Sequence, residues 1–157
     1  MWAPGAGKST GAAHIFAELK MCGINTELVT EFAKDKVLEG NKEVFNTQIY
    51  LFGKQVFKLS RCNGKVDVII TDSPLPLSIY YKNRPCYTEN FDGCVLDIFN
   101  SFNSVNYFLN RVKPYNPSGR FQTEEESDQV SIGVKSLLDK YNIVIKSVLV
   151  ILLAMIL

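Results

Sequence analysis

Histidine and tryptophan are nearly absent from this sequence, each occurring once, and neither sign of charge is in excess. The 17 basic and 16 acidic residues leave a net charge of +1, so charge gives no reason to expect a partner in nucleic acid or on a membrane surface. The single histidine, His14, stands among apolar neighbours in a predicted helix. This position favours packing or partial exposure over a catalytic role.

The four cysteines form no C-x-x-C pair, and their spacings match no common zinc-site pattern. They are Cys22, Cys62, Cys86 and Cys94. Reduced, structural thiols in a cytoplasmic protein are the expectation. No basic segment precedes an apolar one near the start, so a signal peptide is not indicated.

Long apolar runs are also missing until residues 148–157, which read VLVILLAMIL. This stretch is half of the roughly 20 residues that a membrane-spanning helix requires, so no membrane partner is expected. Two interpretations stay open for it: a buried strand, or the product of a shifted or truncated reading frame that carries no selected structure. We therefore predict a domain over residues 1–147 and an atypical apolar tail over 148–157.

Hydrophobic residues make up 46% of the chain and charged residues 21%, which is typical of a globular protein of one domain. Strand patterns alternate with helix patterns throughout, which indicates a mainly parallel sheet covered on both faces, a three-layer α/β/α sandwich. The predicted strands cover 25–30, 66–71, 104–109 and a segment from 143, and the predicted helices cover 9–21, 43–61, 91–102 and 123–141.

The most informative motif is PGAGKST, residues 4–10, the phosphate-binding part of a Walker A loop. Glycines let backbone N–H groups approach phosphate oxygens, a lysine neutralises the terminal phosphates, and a hydroxyl binds magnesium. The full motif has a further glycine, and this sequence has Trp2 there. A capped helix start is the alternative interpretation. The predicted cofactor-binding residues are Pro4, Gly5, Ala6, Gly7, Lys8, Ser9 and Thr10.

A carboxylate follows the clearest strand pattern, VDVIIT at residues 66–71. That carboxylate, Asp72, stands where the Walker B residue of a P-loop protein holds magnesium, directly or through water, with Ser9 as the other metal ligand. The alternative is that Asp72 only caps the turn before Ser73 and Pro74.

Positive charge is concentrated in a Pro- and Gly-containing segment, RVKPYNPSGR at residues 111–120. A loop that carries Arg111 and Arg120 is suited to close over a transferring phosphoryl group and exclude water. A solvated basic loop is the alternative, above all for Lys113.

Two further carboxylates, Glu31 and Asp35, follow the strand pattern at 25–30. Either one is placed to orient an acceptor hydroxyl or take its proton, or else to stabilise the start of a helix. Four other residues are weaker candidates for recognising an acceptor ring, with packing as the alternative: Gln48, Gln55, Tyr80 and Tyr81.

Taken together, PGAGKST, TEFAKD (30–35), the glutamine-bearing helix, ITDSPL (70–75) and NYFLNRVKPYNPSGR (106–120) resemble a family. They are similar to the small phage-type kinase-like AAA ATPases and to the kinase domain of bacterial nicotinamide riboside kinases. The resemblance covers residues 1 to about 147. It implies a sheet of order 2-3-1-4-5, ATP with Mg2+, and a small nucleoside- or nucleotide-like acceptor. The family's first strand precedes the loop, and we expect it to be missing here.

The resulting hypothesis is an ATP-dependent kinase in which the catalytic residues are Lys8, Asp72, Arg111, Arg120 and Glu31. Two alternatives remain: an ATPase or nucleotide-operated binding module, and a truncated family member without catalysis. A kinase for modified bases in DNA is disfavoured by the near-neutral charge.

Overall fold

A computed structural model describes residues 7–110 and 123–149 of the chain. These residues form a mixed α/β structure, so the expected alternation of strands and helices is confirmed at that level. In chain order the elements are α1 (Lys8–Met21), β1 (Thr26–Val29), α2 (Phe32–Leu38), a 3-10 helix (Glu43–Asn46), α3 (Gln48–Ser60), β2 (Val68–Thr71), α4 (Leu77–Tyr80), α5 (Glu89–Asn100), β3 (Tyr107–Asn110), α6 (Glu124–Lys140) and β4 (Lys146–Leu149).

The described residues divide into two compact units. One, here called the loop unit, contains residues 7–11, 105–110 and 123–149; the other, the carboxylate unit, contains residues 12–104. Each unit has one pair of parallel strands. Because parallel strands need a crossover connection, the helical segments between them are a consequence of the pairing.

In the carboxylate unit, β1 pairs with β2 from Thr26 opposite Val68 to Val29 opposite Thr71. The fully buried side chains of this unit include Val29 of β1 and Val95 of α5. Helix α3 turns one face inward, with Gln48, Leu51, Phe52, Gln55 and Leu59 buried. These positions recur every three or four residues, which is the spacing of one helical face.

The predicted helix over residues 43–61 is wrong in one respect, because it is broken at Thr47. Thr47 has φ −126° and ψ 74°, outside the helical range. Groups distant in sequence satisfy the backbone on both sides of the break: Asn83 Nδ2 donates to the Phe45 carbonyl at 3.1 Å, and the Ile49 N–H donates to Tyr87 Oη at 3.2 Å. Tertiary contacts thus replace the helical hydrogen bonds that the break removes.

Two short helices, α2 and α4, have no counterpart among the sequence predictions. With seven and four residues respectively, they are too short to show a helical period in the sequence.

In the loop unit, β3 pairs with β4 from Tyr107 opposite Lys146 to Asn110 opposite Leu149. The predicted capping box at the start of α6 is confirmed: the Glu126 N–H donates to Thr123 Oγ1 at 3.2 Å, and the Thr123 N–H donates to Glu126 Oε2 at 2.8 Å. The buried side chains of α6 share one face and are Ser127, Val130, Val134 and Leu138.

Candidate functional site

The described part of the phosphate-loop motif begins at Gly7, whose φ of 83° favours glycine. Helix α1 begins at the next residue, and the Gly11 N–H donates to the Gly7 carbonyl at 2.8 Å. Lys8 is half-buried, whereas Ser9 and Thr10 are exposed. The motif lysine and hydroxyls therefore stand on the first turn of a helix, where the N-terminal dipole favours anions.

Polar groups of the carboxylate unit meet at the carboxyl ends of β1 and β2. The last register pair is Val29 opposite Thr71, so the residues that follow each strand are neighbours. Asp72 directly follows β2 and is 8% exposed, and its Oδ1 accepts the backbone N–H of Glu31 at 3.0 Å. A buried carboxylate is unfavourable without such donors, so this hydrogen bond both stabilises Asp72 and fixes its direction.

A buried glutamine of α3 joins the same two strand ends. Gln55 Oε1 accepts the Phe32 N–H at 3.0 Å, and Gln55 Nε2 donates to Thr71 Oγ1 at 3.5 Å. The sequence suggested Gln55 as a group for an acceptor ring, but its carboxamide is used inside the protein. Thr71 and Gln55 are the supporting residues that sequence reasoning missed in this role. No local pattern reveals them, because these partners lie 16 and 23 residues apart.

Asp72 is not the N-cap residue of the next helix. Helix α4 begins at Leu77, and its N-cap residue is Pro76. The backbone N–H of Ser73 donates to Thr71 Oγ1 at 3.1 Å, so the threonine hydroxyl is the acceptor in that turn.

The structure places the two carboxylates that follow β1 differently. Glu31 is the N-cap residue of α2 but makes no side-chain cap hydrogen bond. Asp35 lies in the first turn of α2, with Oδ2 3.5 Å from the ammonium of Lys58, which also lies 3.3 Å from Thr30 Oγ1. The helix-start interpretation therefore suits Asp35, and Glu31 is the carboxylate nearer the strand end.

An ion pair at the end of α2 raises the pKa of a lysine. Lys36 Nζ lies 2.6 Å from Glu39 Oε2, and this hydrogen bond raises the pKa of Lys36.

The structure brings together Asp72 and the backbone of Glu31, and it places Lys8 and Ser9 on the first turn of α1. The predicted basic loop, with Arg111, Lys113 and Arg120, lies outside the described residues. So do the first part of the phosphate loop, Pro4, Gly5 and Ala6, and the position of Trp2. The tail from residue 150 onward is likewise outside.

His14 is exposed on α1. The cysteines carry no disulfide; Cys62 is buried, and Cys22, Cys86 and Cys94 are exposed.

Within residues 7–110 and 123–149 there is no cluster of three or more His, Cys, Asp or Glu side chains able to hold a metal ion. In the same stretches, no helix combines the length and the apolar character needed to span a bilayer.

Comparison with protein-family models and with curated protein sequences found no match.

Proposed function

We propose that this protein is a P-loop phosphotransferase that moves the terminal phosphate of ATP to a small nucleoside- or nucleotide-like acceptor. The observation that carries the proposal is the buried carboxylate of Asp72, which directly follows a parallel strand and is oriented by a backbone N–H at 3.0 Å. In open parallel sheets, ligands bind at the carboxyl ends of the strands.

The start of α1 supports the proposal independently. Gly7 adopts a positive φ, and Lys8 and Ser9 follow on the first helical turn, which suits a loop that surrounds phosphate oxygens. In this proposal Lys8 binds the terminal phosphates, and Ser9 and Asp72 are the magnesium ligands. A P-loop magnesium site needs only one hydroxyl and one carboxylate from the protein, because phosphates and water complete the coordination.

The strand pairings favour a P-loop kinase-like sheet. In the family's numbering, the order 2-3-1-4-5 places strand 2 beside strand 3 and strand 4 beside strand 5. In this proposal the family's strands 2 to 5 correspond to β1 to β4. The two observed pairs, β1 with β2 and β3 with β4, are both parallel. We propose that the fold is a three-layer α/β/α sandwich with a mainly parallel sheet of this kind.

Ser9 and Asp72 would hold the magnesium ion, whose chemistry would be to neutralise the charge that develops during transfer. The chain's own residues would bind and position the reactants: Glu31 near the acceptor hydroxyl, and Arg111 and Arg120 over the moving group.

Titration with magnesium-ATP by calorimetry, followed by ADP measurement with a panel of nucleosides and nucleotides, tests the proposal. We expect ATP binding and acceptor-dependent ADP production. Lys8→Ala should reduce the rate by about 100- to 1,000-fold. The control is Lys65→Ala. Lys65 is exposed and precedes the N-terminal end of β2, whereas Asp72 follows the C-terminal end. Hydrolysis without dependence on any acceptor would favour the ATPase alternative, and the absence of ATP binding would contradict both.

A further inference from the structure

Helix α3 carries two buried glutamines that invite comparison. Gln48 and Gln55 are each 6% exposed and lie on the same inward face, seven residues apart. This separation is two helical turns, or about 10 Å along the axis. The two side chains therefore share residue type, helix, face and burial.

Their hydrogen bonding differs. The Gln55 carboxamide binds the Phe32 N–H and the Thr71 hydroxyl. The Gln48 carboxamide makes no hydrogen bond to any residue that the structure describes. A carboxamide offers two donors and an acceptor oxygen, and a buried polar side chain is normally hydrogen-bonded. The inward placement of Gln48 thus costs stability without a compensating contact inside the described part of the protein.

The position of Gln48 relates it to the candidate site. A helix that connects parallel strands runs opposite to them, so its N-terminal turn lies towards their carboxyl ends. Gln55 already reaches those ends, at Phe32 and Thr71. Gln48, two turns closer to the N-terminus of α3, therefore lies beyond the strand ends, where ligands bind in sheets of this kind.

Three aromatic side chains, Tyr87, Phe91 and Phe52, lie near the first turns of α3. Tyr87 Oη accepts the N–H of Ile49, the residue after Gln48, and the Tyr87 ring lies 4.9 Å from the ring of Phe91. Phe91 in turn contacts Phe52 of α3 at 5.8 Å. A single polar group among aromatic side chains is typical of a site for a small planar ligand.

From these observations we infer that Gln48 is the residue that recognises the acceptor, through paired hydrogen bonds to the edge of a nucleobase-like ring. A carboxamide presents an N–H donor beside a C=O acceptor, and each common nucleobase has an edge with the complementary pair. The inference rests on the proposed function, because it assigns the specificity of that acceptor site.

The test compares two isosteric substitutions, Gln48→Met and Gln55→Met. Replacing Gln48 removes an unsatisfied carboxamide, so the melting temperature should rise by about 2–4 °C. Replacing Gln55 removes the acceptor of the Phe32 N–H and one of the hydrogen bonds of Thr71, so the melting temperature should fall by at least as much. A fall for Gln48→Met would show that Gln48 is structural and would overturn the inference.

The binding arm uses uridine, cytidine, adenosine and guanosine as probes, titrated into the full chain without ATP. We expect at least one to bind the wild type and to bind Gln48→Met at least about tenfold more weakly. Gln48→Glu, which exchanges the donor for an acceptor, should also weaken binding. Failure of all four nucleosides to bind, or equal binding by the variants, would overturn the inference.

Failure of the inference can be distinguished from failure of the proposed function. Acceptor-dependent ADP production by the wild type that is insensitive to Gln48 would retain the kinase and reject the role of Gln48. Gln48-dependent nucleoside binding without any ADP production would retain the recognition site and reject the phosphotransfer.

Discussion

The start of α1 and the carboxyl end of the β1–β2 pair hold their polar groups by different means. At the start of α1, the Gly7 carbonyl is bound by the Gly11 N–H, four residues away. At the strand ends, Asp72 is bound by the Glu31 N–H, 41 residues away. The first arrangement forms wherever the local chain enters a helix, whereas the second exists only after β1 and β2 have paired.

This difference has a consequence for mutation. Changes at the start of α1 should act through backbone conformation and, under the proposed function, through phosphate binding. Changes at the strand ends also act on the packing that joins β1 to β2. Substitutions at the two places should therefore separate these effects, and the largest is expected at the strand ends.

Substitutions of Asp72 can separate the effect of its negative charge from the effect of its hydrogen bond. Asp72→Asn keeps an oxygen that can accept the Glu31 N–H, so the melting temperature should stay close to that of the wild type. Loss of the negative charge should weaken magnesium-dependent ATP binding by about 10- to 100-fold. Calorimetric titration of ATP with and without Mg2+ measures this effect.

Asp72→Leu is the matched comparison, because it removes both the charge and the acceptor. Leaving the Glu31 N–H unpaired costs about 1–2 kcal/mol, which corresponds to a fall of roughly 2–8 °C in the melting temperature. If both variants bound ATP as tightly as the wild type, the role of Asp72 would be purely structural.

Gly7 tests whether backbone conformation alone limits the start of α1. Its φ is 83°, and a Cβ added at this position would meet no described atom within 4 Å, so Gly7→Ala has a conformational cost and no steric clash. That cost is about 1–2 kcal/mol, measurable by denaturant unfolding.

The control is Gly53→Ala on α3, where a Cβ also meets nothing within 4 Å and φ is not positive. It should stabilise the protein by about 0.5–1 kcal/mol. Equal effects at both glycines would contradict the prediction.

Two helix starts provide the smallest test, because both have threonine at the N-cap. Thr123 completes a capping box, whereas Thr88 at the start of α5 makes no side-chain cap hydrogen bond. Thr123→Ala should therefore lower the free energy of unfolding by about 1 kcal/mol and Thr88→Ala by much less. Urea unfolding of both variants checks this, and a larger loss for Thr88→Ala would contradict it.

The Thr123 substitution should also change one titration. The pKa of Glu125 is lowered by a hydrogen bond from the backbone N–H of Glu125 itself and by a second one from the side chain of Thr123. Removing the hydroxyl should move that pKa back upwards, which NMR titration of the Glu125 side chain can follow.

Much of the architecture was predictable from local patterns. The starts of α1 and α6 followed from a phosphate-loop motif and a capping box, because both are local patterns of a few consecutive residues. The strand patterns located β1 and β2, because alternation and β-branched residues reflect burial in a sheet. The break in the predicted helix at Thr47 was not predictable, since Asn83 and Tyr87 stabilise it from 38 residues away.

The sequence by itself determined the motif residues at Gly7, Lys8 and Ser9, the carboxylate after β2 and the alternation of strands with helices. Only the tertiary structure decided which polar side chain serves which purpose. Gln48 and Gln55 are equivalent in sequence pattern and in burial, yet Gln55 joins two strand ends while Gln48 has no described partner. Hydrogen-bond partners far apart in sequence meet only when strands pair and helices pack, so residue type and spacing cannot specify them.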